Sequence, residues 1–132
     1  MSKLESLIPV LLAAVVALPV AAAEEGDALG VGQAAWYEHC TVCHGRDGSG
    51  DGPFVPLLRT APPDLTVLAR DNGGEFPLDR VLRAVDGRNL PLAHGGGDMP
   101  LWGRVLSAAG ECEERVRSRV VDVVAWLRTL QR

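Results

Sequence analysis

Residues Cys40-Thr41-Val42-Cys43-His44 constrain this chain more than any other stretch. Two thiols three positions apart lie on the same side of one helical turn. Each can add to one of the two vinyl groups on a haem edge, and the histidine after them is carried beneath the ring as proximal iron ligand. The same five residues also fit two other chemistries, a dithiol redox pair and half of a zinc site. The rest of the chain has to decide among the three.

The 132 residues suffice for one domain. At the N-terminus Lys3 precedes an apolar run from Leu7 to Val20, and Ala21-Ala22-Ala23 offers a small-residue cleavage site before Glu24. Residues 1–23 therefore read as a secretory signal peptide, and residues 24–132 as the functional domain. An uncleaved membrane anchor is the alternative, and only it would bring the chain into contact with a membrane. The expected destination is an oxidising compartment, a bacterial periplasm. There a Cys-x-x-Cys pair either becomes a disulfide or serves a dedicated use, and haem attachment is such a use. The cysteine count of three is odd, so a disulfide framework cannot absorb them all.

Removing residues 1–23 takes away one base, Lys3, and one acid, Glu5, leaving the net charge at −4 and arginine as the only strong base. With no basic stripe or aromatic-basic platform, nucleic acid is not an expected partner.

Helical periodicity is evident in four places and strand periodicity in none. A first helix is expected from Ala28 to His39 with Asp27 as N-cap, and Leu29, Gly32, Trp36 and Cys40 share one face. Asp64 should cap a short helix over 65–70. Another helix is expected from Pro77 to Asp86, with Leu78, Val81, Leu82 and Val85 inward and Gly87 at its end. The last helix, Glu113 to Leu130, carries Val116, Val120, Val123, Val124, Leu127 and Leu130 at helical spacing. Between these lie two glycine- and proline-rich stretches, 45–63 and 90–102. The first, Gly45-Arg46-Asp47-Gly48-Ser49-Gly50-Asp51-Gly52, lacks the preceding strand and the lysine-threonine end of a phosphate loop. An all-α chain with so much irregular backbone and so few large apolar residues needs something for its loops to wrap, and a haem would supply it.

A low-spin electron-transfer haem takes a second axial ligand. Met99 is the only methionine after residue 23, and it lies in a polar Gly-Asp-Met-Pro loop with no apolar stripe around it. It is the candidate, with His94 in the same stretch as its rival. His39 reads as a solvated histidine. Arg59 and Trp102 carry donors suited to haem propionates. Cys112 would be a small packing residue at the start of the last helix.

With these features in hand, residues 27–132 resemble the class I c-type cytochromes. Their N-terminal helix ends in Cys-x-x-Cys-His, and a downstream methionine binds the other haem face. Gly32 and Trp36, eight and four residues before Cys40, match the family's glycine and aromatic. Trp126 stands where the C-terminal helix places an aromatic against that glycine. Gly52-Pro53 and Met99-Pro100-Leu101-Trp102-Gly103 match two further family features. The resemblance implies the cytochrome c fold and one covalent haem c, held through Cys40 and Cys43, with iron ligated by His44 and Met99. It also implies that the Pro53 carbonyl accepts the second ring N–H of His44, with Pro62 or Pro63 as fallback. The implied function is one-electron transfer between redox proteins, with no small-molecule substrate and no enzyme activity of its own. A dedicated haem subunit of an oxidoreductase, or a ligand-binding sensor with a labile distal ligand, would be the alternatives.

Overall fold

The computed structural model describes residues 21–88 and 97–132. The expected signal peptide, apart from its last three residues, and His94 lie outside these. Among the described residues the chain is all-α, without strands.

Helix α1 spans Ala21–Ala35 and passes without a break into a π-helical turn, Trp36–Cys40, and then into the short α2, Thr41–His44. Helix α1 thus begins earlier than expected, and Asp27 lies inside it rather than capping it. The described backbone is helical across Ala23 and Glu24 as well. No described helix is long and apolar enough to cross a membrane.

The other α-helices are α3, Leu78–Asp86; α4, Trp102–Ala108; and α5, Glu113–Thr129. Three short 3-10 turns, Val55–Leu57, Leu65–Val67 and Arg70–Asn72, punctuate the stretch between α2 and α3. Asp64 does cap the second, accepting from the Thr66 amide at 2.9 Å, but that turn closes by Val67 instead of continuing as one helix to Arg70. Gly87 ends α3 at φ 68°, a left-handed conformation that suits glycine.

Helix α5 is the central element: α1, α3 and α4 all pack against it. Its Val116, Val120, Val123, Val124 and Leu127 are buried, as the helical repeat requires, and Trp36 and Val81 join them from α1's extension and α3. Two expectations fail at the edges of this core. Leu78 is 44 % exposed, because the first residue of α3 has no neighbouring turn to shelter it. Cys112 is exposed as well, standing at the N-cap position of α5 rather than packing beneath it.

Gly32 is where α1 and α5 meet. A Cβ on it would overlap the backbone carbonyl of Asp122 and stand 3.2 Å from the Trp126 Cβ. The expected Gly32–Trp126 contact is therefore present, and the tightest part of it is backbone. Gly32→Val should force the helices apart at a cost of roughly 2 kcal/mol, or on the order of 10 °C in Tm. Thermal unfolding checks this, and a variant melting with wild type would rule out the close crossing.

The C-terminus is tied down beside the core. Gln131 takes the Ala69 amide at 3.0 Å and donates to the Leu65 carbonyl at 2.8 Å, while the Arg132 amide donates to the Thr66 carbonyl at 2.9 Å. These bonds fix residues 65–69, the stretch just after the Leu58–Pro63 segment that borders the candidate site.

Candidate functional site

The Cys-x-x-Cys-His segment sits where the α1 helix widens. In the π turn the Thr41 amide reaches back to the Trp36 carbonyl, five residues away, and the Thr41 hydroxyl donates to the Tyr37 carbonyl at 3.1 Å. One added residue per turn rotates the downstream residues by about 100° relative to an unbroken α-helix. The cysteines are thus re-aimed without breaking the rod that carries them. Trp36, 2 % exposed, anchors the turn from below, and its Nε1 donates to the Arg46 carbonyl at 3.2 Å.

The glycine-rich loop then folds back on the motif. The carbonyls at the end of α2 lack helical partners, as at every helix C-terminus. The loop supplies them: Phe54 N–H to the Val42 carbonyl (2.9 Å), Gly52 N–H to that of Cys43 (3.2 Å), Gly50 N–H to that of His44 (2.8 Å). Gly52 permits this approach, since a Cβ there would lie 2.5 Å from the Val42 carbonyl oxygen.

Above the motif opens a cleft of about 500 Å³, in the range of small-molecule and cofactor sites. Cys40, Cys43 and His44 line it together with Met99, so four residues singled out from the sequence border one cavity. The segment from Leu58 to Pro63 forms another part of the lining, and Arg59 and Trp102, the two expected propionate donors, also border the cleft.

His44 is oriented for a role in that space. Its Nδ1 is enclosed by protein without a hydrogen-bond partner, and the residue itself lines the cleft. Burial lowers the imidazole pKa and keeps the ring in the neutral form that can donate a lone pair. The Pro53 carbonyl does not accept the Nδ1 hydrogen. Pro53 is exposed on a loop held against Val42 and Cys43, and it is not part of the cleft lining. The fallback carbonyls of Pro62 and Pro63 instead pack over Gly50, where a Cβ would stand 2.6 and 3.2 Å from them.

The Cys40 thiol is pushed up to about 12, first by burial and then by the nearby Cys43. The described residues contain no group of three or more His, Cys, Asp and Glu placed to hold a metal ion.

Three features of the site go beyond the sequence-based expectations. Helix α4 starts at Trp102, three residues after Met99 and at the last residue of the stretch expected to be irregular, and no helix was expected over 103–108. Its period was hidden by its brevity and by Gly103, which is buried against Asp86 and Arg88. His39 is not simply solvated: its side chain is 31 % exposed, its ring lies 5.0 Å from that of Trp102, and it borders the cleft. The third feature is a contact between Asp98 and Arg59 across the cleft lining, at a separation of 39 residues that no local pattern could signal.

Comparisons of the chain with protein-family models, with curated proteins and with solved structures find no match.

Proposed function

We propose that this chain is an exported one-electron carrier of the class I cytochrome c type, acting in the periplasm with one covalent haem. The observation that carries this reading is the convergence of two thiols, a neutral imidazole and the sole thioether of residues 24–132 on one cleft. That donor set suits haem: two thiols for the vinyl groups, and a nitrogen and a sulfur for the two axial positions.

When bound, a haem would supply a single-electron ferric/ferrous couple. Cys40 and Cys43 would fix its edge by thioether bonds, and the π turn would set their direction. His44 would ligate from the motif side. Met99, a soft donor, would favour the reduced state and raise the potential. With both axial positions taken by protein, no substrate is expected at the metal. Val42, Phe54 and Leu57 are exposed apolar side chains on the motif and the loop bonded to it. Such a surface suits the small, short-lived contacts of redox partners.

Redox titration followed by visible absorption tests the function. The wild-type protein should cycle reversibly between two states with a one-electron slope and bind carbon monoxide weakly when reduced. Tight carbon monoxide binding would point instead to a sensor, and a multi-electron dithiol couple to a redox protein without haem.

A further inference from the structure

The residue before Met99 is held across the cleft. Asp98 Oδ2 accepts a hydrogen bond from the Arg59 backbone N–H at 2.7 Å, and Asp98 Oδ1 lies 3.4 Å from Arg59 Nε. Arg59 and Thr60 belong to one segment of the cleft lining, Asp98 and Met99 to another, so the carboxylate joins the two.

Among the described residues, few other contacts hold the segment around Met99. Gly97, Asp98, Met99 and Pro100 are all exposed, Met99 at 38 %, and regular helix resumes only at Trp102. Leu101 packs over Gly87, and Trp102 lies against His39; both contacts come after Met99 in the chain. On its other side Asp98 makes the first described long-range attachment.

We propose that Asp98 is a positioning residue for the Met99 thioether, a carboxylate clamp that holds the Met99 segment against the cleft by gripping the backbone at Arg59. The proposal rests on the haem reading above. A neutral sulfur competes for iron through its local concentration, and that concentration depends on how firmly its loop is anchored. Hydrogen bonds to an ionised carboxylate are the stronger kind. Releasing the clamp raises the fraction of molecules whose sulfur is off the iron, while the haem stays covalently attached through Cys40 and Cys43.

The test is the rate of carbon monoxide binding to the reduced, haem-loaded protein. It is measured for wild type, Asp98→Ala, Asp98→Asn, Met99→Ala and Asp71→Ala, with haem content and helicity checked for each. Asp71 pairs with the adjacent Arg70 away from the cleft, so its removal changes charge without touching the clamp. Asp98→Ala should bind roughly tenfold faster than wild type, the scale of losing one charge-assisted hydrogen bond at a partly exposed site. Asp98→Asn keeps an oxygen for the Arg59 amide and should fall between the two, and Asp71→Ala should match wild type. If Asp98→Ala does not fold, a several-fold increase in Asp98→Asn supports the clamp and an unchanged rate overturns it. Wild-type rates in a folded Asp98→Ala overturn the clamp while leaving the haem reading intact. Equal rates in wild type and Met99→Ala overturn Met99 as ligand, and the clamp with it.

Discussion

A chain carrying Cys40→Ser and Cys43→Ser together should come through export without covalent haem and without a stable fold. The core of the described residues is small: one tryptophan, one leucine and five valines are its buried apolar side chains. The cleft leaves part of the surrounding wall open to water, including the apolar parts of Leu58, Ala61, Pro62 and Pro63. A domain's net stability is only about 5–15 kcal/mol, so leaving a cofactor-sized body out of the interior can remove all of it. Intact mass and far-ultraviolet circular dichroism on the purified periplasmic fraction read the outcome. A haem-free double variant that stays helical and melts cooperatively near wild type would mean that the cleft needs no cofactor.

Met99→Ala should give the second large effect, of a different kind. The variant keeps its haem through the two thioethers but loses its distal ligand, so carbon monoxide in the reduced state and imidazole in the oxidised state gain access. The potential should fall on the order of 0.1 V, a fraction of the roughly 0.8 V range that axial ligands set. His94→Ala should leave the spectrum and potential nearly unchanged. The reverse pattern, a silent Met99→Ala and a His94→Ala that opens the iron, would describe a bis-histidine cytochrome of lower potential.

The features legible in the sequence are those whose signals are local. The apolar stripe of α5 recurs at helical spacing from Val116 to Leu127, and five of its six expected apolar positions are buried. The cysteines and His44 are adjacent in the chain, so their presence on one cleft wall needed no long-range inference. The Gly32 crossing came from a resemblance; periodicity alone shows only a costly glycine in a helix. The π turn stayed hidden because Trp36–Cys40 has the composition of an ordinary helix, and only the hydrogen-bond pattern tells them apart. The tie from Asp98 to Arg59 was hidden for a related reason: a backbone amide donates to it, and backbone amides carry no sequence signature. The Pro53 carbonyl was expected on a motif match, yet the loop's own hydrogen bonds to Val42 and Cys43 decide where that segment lies.

The most direct test of the central claim is an intact mass of the exported protein under denaturing conditions, taken after alkylation of free thiols. Covalent attachment predicts the mass of the mature chain plus one haem, with a single alkylated thiol at exposed Cys112. A chain without haem, carrying either three alkylated thiols or a Cys40–Cys43 disulfide, would contradict it.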